Sequence, residues 1–327
     1  MSMIDRLRRG AAPAAVLLFL PLAALAQDDG DDDLRALLEQ VGADYAEAYI
    51  SPFIHAHGPN QNSALYHTAS VPGTGLHVTI GLKLMATQLD ENDQTFRRVL
   101  ENVEVGGVLP DDPVYDPYRE ETGTVVMSGP TVFGDTSVDG RVTVYVNGLP
   151  IYTDHTIPGL VDTRWVPLFA PQVTVGSVYG LSATLRWFPD LDLSDYGKSS
   201  FFGWGLSWGA SALLPELPVD VMIGYFEQSL DVGTLLGTQA TSLHLVVSKR
   251  LHAVTVYGGV AAESSELDVR YEFAGYDALP GSAGTVAFSV EGAQDRRLTL
   301  GATVGPVNAE ISHGKLTTFG AGLLYGF

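Results

Sequence analysis

The amino-acid sequence predicts an all-β fold: a single antiparallel transmembrane β-barrel of 12–14 strands with an N-terminal helix and a hatch-like segment. Three observations carry this prediction. The chain ends on a strand-like alternation in which Phe319, Leu323, Tyr325 and the terminal Phe327 share one face, as in a closing strand with aromatic residues at a membrane interface. Apolar and polar residues alternate in the same way through the C-terminal half. The hydrophobic content is 46%, yet no stretch after residue 26 is long and apolar enough for a transmembrane helix.

The first 26 residues have the order of a secretory signal peptide. Three arginines precede an apolar run over Ala14–Ala23, and Ala24-Leu25-Ala26 supplies a cleavage site. The apolar run is too short to span a bilayer, so we predict removal of residues 1–26 rather than a membrane anchor. Gln27 follows the cleavage site, where a lipoprotein would need Cys.

Residues 27–74 are predicted to form one N-terminal element. An acidic lead is followed by a helix over 32–50, because apolar residues recur there at three- and four-residue spacing and Pro52 ends the pattern. Residues 51–74 are irregular and rich in Pro, His and Asn. We predict a hatch-like element that packs inside or beneath the barrel; the alternative is a periplasmic linker. The helical stripe consists of Leu34, Leu37, Leu38, Val41, Tyr45 and Ala48.

Residues 75–327 are predicted as the barrel. In 202–211, aromatic residues and Leu206 alternate with Gly and Ser. A soluble β-sandwich would also alternate, but small residues opposite large aromatic ones favour a lipid-facing wall. Regions 106–140 and 148–178 are too long for turns, so they are predicted as loops over the mouth or inward plugs. The predicted strands are 76–88, 141–147, 179–188, 202–211, 219–227, 242–250, 253–263, 266–273, 285–291, 296–304, 306–312 and 316–327.

Charged side chains keep to one face of the predicted strands, which places them in the lumen. They would either pair across the interior and fill it, or line a polar conduit. Because the N-terminal element is predicted to enter the lumen, we expect a plugged barrel rather than an open pore. The ligand itself is unknown, and the candidate ligand-binding residues are Lys83, Arg186, His244, Arg297 and Glu310. Further predicted lumen residues are Asp220, Arg250, Asp268, Arg270, Glu272 and Glu291.

Composition excludes several classes of function. The formal net charge is −20, a sign that argues against a nucleic-acid partner. Zero Cys excludes disulfides, thiolate catalysis and Cys–zinc sites. The acidic loop Asp190–Asp195 lacks the Gly and closing Glu of an EF-hand and is predicted to be solvated, so we predict no metal and no cofactor. An enzyme is not predicted, because His244 and Ser242 would face the lumen rather than the lipid-accessible outer wall.

Several short motifs together carry a resemblance that covers most of the mature chain. The chain resembles a family of uncharacterised bacterial outer-membrane β-barrel proteins and, more distantly, the long-chain fatty-acid transporter type of barrel, whose members have an N-terminal hatch and 14 strands. No ligand residue is carried over from the transporters. The motifs are Tyr49-Ile50-Ser51-Pro52, Asn60-Gln61-Asn62-Ser63, Pro130-Thr131-Val132-Phe133-Gly134 and Arg186-Trp187-Phe188-Pro189.

The sequence therefore predicts a bacterial outer-membrane protein whose partners are the lipid bilayer and the outer-membrane assembly machinery. The leading functional prediction is passage or capture of a small molecule, hydrophobic molecules included. The alternative is a structural or scaffold protein whose barrel carries no cargo and whose loops bind partners.

Overall fold

The computed structural model describes most of the chain after residue 30. The predicted signal peptide, the cluster Asp111–Asp116, Asp195 and the terminal Phe327 lie outside the described residues. The described chain divides into two compact units. The first unit contains the residues up to Pro52, Asp90–Arg164 and Val269–Phe288, and the second contains Phe53–Leu89, Trp165–Asp268 and Ser289–Phe327. The described ranges are 31–104, 122–176, 179–192, 198–214, 216–273 and 284–326.

The regular structure of the described residues comprises one long helix, fifteen strands and two short 3-10 helices, Glu91–Gln94 and Ala210–Ala212. Among these residues, no helix is both long enough and apolar enough to cross a bilayer. The helix α1 spans Asp31–Gln61. The strands are β1 His77–Gln88, β2 Thr95–Glu104, β3 Thr122–Pro130, β4 Asp139–Val146, β5 Leu149–Pro158, β6 Trp165–Gly176, β7 Leu181–Asp192, β8 Lys198–Gly209, β9 Asp220–Val232, β10 Leu236–Leu251, β11 Val254–Phe273, β12 Gly284–Glu291, β13 Arg296–Val304, β14 Val307–His313 and β15 Thr317–Gly326.

The second unit is a closed antiparallel β-barrel of ten strands. Its order is β10-β9-β8-β7-β6-β1-β15-β14-β13-β11, and a pairing between β10 and β11 closes the ring. The last strand pairs with the first, with Thr79 opposite Gly326 and Gln88 opposite Thr317. The predicted all-β barrel fold is thus confirmed. We call the end where β1 begins and β15 finishes the short-turn end, because residues 252–253 and 305–306 connect neighbouring strands there; the opposite end is the long-connection end.

The strand count of ten corrects the predicted 12–14. The predicted wall strand 141–147 belongs to a separate sheet, as β4. The predicted strands 253–263 and 266–273 are one long strand, β11, and β12 pairs with β11 without entering the ring. Conversely, β6 is a wall strand inside the region 148–178 that the sequence left unplaced.

The barrel wall has an apolar outer face and a largely polar inner face. Along β13, the side chains of Leu298 and Leu300 are 54% and 58% exposed, whereas Thr299 between them is 2% exposed. Aromatic residues such as Phe202 and Trp204 occupy the outward positions of β8, with Gly on the other face. This is the arrangement in which lipid solvates the outside of a barrel, because in water so much exposed apolar surface would be unfavourable.

The first unit is a four-stranded antiparallel sheet, in the order β2-β3-β4-β5, with part of α1 packed on one face. Tyr45 of the helix is buried against Met127, Val142 and Val144. Its hydroxyl shares a hydrogen bond of 2.8 Å with the Thr156 hydroxyl. The alternating valines that predicted a wall strand at 141–147 therefore pack into the core between this sheet and the helix instead.

Raising the pH above 10 should selectively destabilise the first unit. Burial raises the pKa of Tyr45 to about 12, partly offset by its hydrogen bond with Thr156. The unfolded state releases this proton near pH 10 while the folded state retains it, so the stabilisation present below pH 10 is lost between pH 10 and about 12. Thermal unfolding of the wild type and of Tyr45→Phe across this range would measure it. A melting temperature that falls equally in both proteins would contradict the assignment to Tyr45.

Candidate functional site

The barrel lumen is occupied by residues 53–74, which we call the inner segment. Its path follows β6 from one end of the barrel to the other. Near the start of β6, Asn60 Nδ2 donates a hydrogen bond to the Val166 carbonyl. Farther along, Gln172 Nε2 donates to the Leu65 carbonyl at 3.2 Å. Beyond the end of β6, the Tyr179 amide donates to the Gly73 carbonyl at 2.9 Å. The inner segment therefore runs from the long-connection end to the short-turn end.

The motif Asn60-Gln61-Asn62-Ser63 ends the helix and ties it to the wall. Ser63 Oγ donates to the Pro59 carbonyl at 2.7 Å, and Ala64 takes a positive φ of 56° that stops the helix. Gln61 Nε2 donates to Thr238 Oγ1 at 2.7 Å, and Asn62 Nδ2 donates to the Thr241 carbonyl at 3.1 Å. The amide side chains that made this stretch look irregular thus satisfy polar groups of the wall.

Arg297 makes four side-chain hydrogen bonds to three described residues of the lumen. Its guanidinium pairs with Glu263 at 3.0 Å, and both side chains are 1% exposed. The same guanidinium donates to the Pro59 carbonyl at 2.7 Å and to Ser63 Oγ. Gln294 Nε2 donates to the Glu263 carboxylate. This arrangement fastens the end of α1 to the wall.

Arg186 is completely buried, and no carboxylate pairs with it among the described residues. Its Nη1 donates to the Gln61 carbonyl at 2.9 Å and to Gln228 Oε1 at 2.5 Å. The guanidinium also lies 5.8 Å from the centre of the Phe201 ring. Gln228 in turn donates to the Gln61 carbonyl at 2.6 Å. A backbone carbonyl of the inner segment is thus the centre of this group.

Lys83 and Glu310 hold the middle of the inner segment. Lys83 Nζ donates to Asn308 Oδ1 at 3.0 Å and lies 3.5 Å from the Tyr66 carbonyl. The Glu310 carboxylate accepts the Ala64 amide at 2.7 Å and the Tyr257 hydroxyl at 2.8 Å. The wall carboxylate is therefore satisfied by a backbone amide and a phenol rather than by a cation.

His244 is buried in the lumen, where its Nε2 and Ser242 Oγ are 2.9 Å apart. The edges of Tyr66 and Phe226 meet the imidazole at centroid distances of 5.3 and 5.8 Å. No acidic side chain bonds the imidazole among the described residues. The pair is shut away from lipid and from solvent, which is the wrong placement for hydrolysis of a membrane lipid.

All five residues proposed from sequence as ligand-binding candidates are buried. All except His244 form hydrogen bonds with backbone atoms of the inner segment. The further predictions are partly wrong: Arg250, Asp268, Arg270 and Glu291 are exposed. For Asp268 and Arg270 the reason is that β11 is continuous, so Glu263 and Leu267 face inward and the two charged residues face outward. Arg250 lies next to the end of β10, and Glu291 belongs to β12, which is not part of the ring. Asp220 is half-buried, and the side chain of Glu272 lies outside the described residues.

Sequence reasoning missed Glu263, Gln228, Gln172 and Tyr257, which bond the inner segment or its anchors. Glu263 lies in the run Ala-Ala-Glu-Ser-Ser-Glu, where no alternation identifies the inward face. The only available signal was its parity with Tyr257, six residues earlier on the same strand. The two glutamines carry no charge and did not stand out.

A small cavity of about 90 Å³ lies at the short-turn end of the lumen. Hydroxyl groups and imidazoles dominate its polar lining, and no carboxylate, Lys or Arg contributes to it. Its volume suits a few water molecules. Lining residues include His67, His77, Thr79, Thr174, Thr184 and Ser207.

Among the described residues, no group of three or more His, Asp or Glu side chains converges on a possible metal position. Asp190, from the acidic loop considered for calcium, instead lies 3.5 Å from Lys198, with both side chains mostly exposed.

Comparisons with known proteins leave the function open. The model of a family of unknown function, DUF6588, matches residues 11–327. No curated protein matches the chain. OmpT of Vibrio cholerae, an outer membrane protein in a trimer form, is 12% identical, with 78% of this chain and 100% of that chain covered and a TM-score of 0.26.

Two further solved structures are similarly distant. OmpF of Salmonella typhi, in complex with daunomycin, is 8% identical, covering 78% of this chain and 98% of that one, with a TM-score of 0.18. OprB of Pseudomonas putida is 11% identical, covering 77% and 93%, with a TM-score of 0.19. With scores this low, the strand pairing itself carries the assignment of the fold.

Proposed function

We propose that this chain, which belongs to DUF6588, a family of unknown function, forms an outer-membrane barrel whose lumen is a gated passage for small polar solutes. The inner segment of the same chain closes the passage. The apolar outer belt, the ten antiparallel strands and the pairing of β1 with β15 support the membrane placement.

The contacts of the wall's ionisable side chains are the observation that carries this proposal. In a barrel filled only for stability, opposite charges on the wall would pair across the interior. Here one such pair exists, Arg297 with Glu263. Nevertheless Arg186, Arg297 and Lys83 each contact a backbone carbonyl of residues 53–74, and Glu310 accepts a backbone amide of the same segment. The wall thus binds the inner segment through the same kinds of hydrogen bond with which it would bind a polar ligand.

Displacing the inner segment would exchange these hydrogen bonds for bonds to water. Each such bond contributes about 0.5–1.5 kcal/mol net, so the exchange costs far less than the sum of the contacts suggests. The vacated lumen would present Lys83, Arg186 and Arg297 against Glu263 and Glu310. A passage lined this way suits a small polar solute better than a hydrophobic one, because a hydrophobic solute would desolvate these charges.

A second candidate is a scaffold barrel that never opens. The small cavity volume of about 90 Å³ favours it, since a space of that size holds only a few water molecules. The two candidates differ in one property: only the gated passage requires the inner segment to move.

A reversible disulfide would separate the two candidates. A Cβ built at Gly320 of β15 lies 3.3 Å from the Cβ of Ala64 in the inner segment, close to the 3.5–4.5 Å of natural disulfides. The chain has no native Cys, so Ala64→Cys/Gly320→Cys would form one defined bridge. We expect the oxidised protein to show several-fold fewer conductance events in planar bilayers than the same protein after reduction.

Each single variant is the matched control, because the Cβ at Gly320 also meets the Glu310 side chain. Both single variants should conduct like the reduced double variant and should not respond to reductant. Absence of conductance in the reduced protein, the wild type and the controls would support the scaffold and reject the gated passage.

A further inference from the structure

We infer that this barrel carries residues 31–52 of its own chain to the cell surface, because the chain enters the lumen at residue 53 from the outer face of the membrane. The inference rests on the outer-membrane placement proposed above, but it does not require the inner segment to move.

The order of contacts along the inner segment fixes its direction inside the barrel. At the long-connection end, a Cβ on Gly58 would meet Ser265 of β11, and Arg297, at the start of β13, holds Pro59. At the short-turn end, Thr303 Oγ1, at the finish of β13, donates to the His67 carbonyl at 2.8 Å. Residues 59 and 67 therefore lie at opposite ends of the same wall strand.

The remaining contacts repeat this order on a second strand. Gln61 bonds Thr238 near the start of β10, Asn62 bonds Thr241, and the Ala69 amide donates to Ser248 Oγ at 2.9 Å near its finish. β10 and β13 both neighbour β11, and β6, on the opposite side of the ring, shows the same order through its contacts with Asn60 and Leu65. The inner segment therefore crosses the whole wall height rather than folding back.

Connection lengths assign the two ends to the two sides of the membrane. Short turns of outer-membrane barrels face the periplasm, and long connections face outward. The short-turn end has the two-residue links 252–253 and 305–306, and its longest link is the ten residues 210–219. At the other end, residues 89–164 join β1 to β6. Residue 74 thus leaves the lumen on the periplasmic side and continues into β1, and residue 53 leaves it on the outer side.

No route outside the barrel would bring the preceding residues back to the periplasm. They would have to cross the bilayer along the apolar belt as a single polar chain, and the acidic residues Asp44 and Glu47 would make that crossing costly. The barrel therefore serves as the conduit by which its own acidic N-terminal part is displayed, and in this topology that part is not a periplasmic linker.

Single cysteines in the Cys-free chain provide the test. Glu47→Cys reports on the displayed part, and it removes only a partly exposed ion pair with Arg98. Thr234→Cys marks the long-connection end and Glu216→Cys marks the short-turn end; both positions are exposed. Intact cells and permeabilised cells would be treated with a membrane-impermeant maleimide, and the full-length proteins compared for labelling.

We expect Glu47→Cys and Thr234→Cys to be labelled in intact cells, and Glu216→Cys only after permeabilisation. Labelling of Glu47→Cys only after permeabilisation, with Thr234→Cys labelled in intact cells, would overturn the display while leaving the barrel orientation intact. Labelling of Glu216→Cys in intact cells would overturn the orientation itself. The disulfide experiment above can fail without affecting either result.

Discussion

Glu263→Gln should destabilise the barrel by about 3–5 kcal/mol, the usual cost of removing one partner from a buried ion pair. The substitution leaves the Arg297 guanidinium charged and 1% exposed, with only neutral partners. Chemical denaturation in lipid vesicles would measure the change in the free energy of unfolding. The inner segment should also loosen, because Arg297 anchors Pro59 and Ser63.

Asp190→Asn is the matched control within the same unit. Asp190 also pairs with a basic residue, Lys198, but their side chains are 58% and 71% exposed. Exposed pairs contribute between 0 and about 1 kcal/mol. If the two substitutions cost the same, the buried pair does not anchor the lumen as described.

Leu300→Arg should cost about 2–4 kcal/mol, the penalty for a cation on the lipid face near the bilayer midplane. Leu300 is outward-facing in the middle of β13. Val304 lies on the same face of the same strand, at its end, so Val304→Arg should cost only about 0–1 kcal/mol. Denaturant titration in vesicles of both variants would give this difference. Equal, small costs would show that water rather than lipid covers this face.

Alternation predicted the barrel wall well where aromatic residues alternate with glycines, as in β8. A lipid-facing strand favours large apolar side chains on its outer face and small or polar ones on its inner face. It failed to separate the two sheets. Val142, Val144 and Val146 alternate in β4 as they would in a wall strand, but they pack against Tyr45 of α1. A strand with one buried face has the same pattern whether protein or lipid covers that face.

The sequence does not mark β6 as a wall strand, because it contains Pro167 and Pro171. Proline lacks a donor and usually marks an edge strand. In the structure these prolines stand opposite Ala86 and Leu82 within a continuous pairing. Since β6 continues the ring from β1, missing it obscured how the wall is closed.

The inward direction of Lys83, Arg186 and Arg297 followed from strand parity, a local property. Strand parity could not identify their partners, which are backbone atoms of the inner segment. For Arg186 and Arg297, these atoms lie more than a hundred residues away in the sequence. The direction of the inner segment likewise depends on contacts with β6, β10 and β13. No local pattern encodes the order of such contacts.

The closure of β1 onto β15 also constrains how the molecule can assemble. A segment cannot enter a barrel lumen from the side once the ring of strands is closed. The closing pair here is β1 with β15, the first and last wall strands, which are also the paired strands of greatest sequence separation. Such pairings form late because loop closure is slow. The closed ring therefore favours a folding order in which the N-terminal residues are in place while the sheet is still open and the C-terminal strand then closes around them.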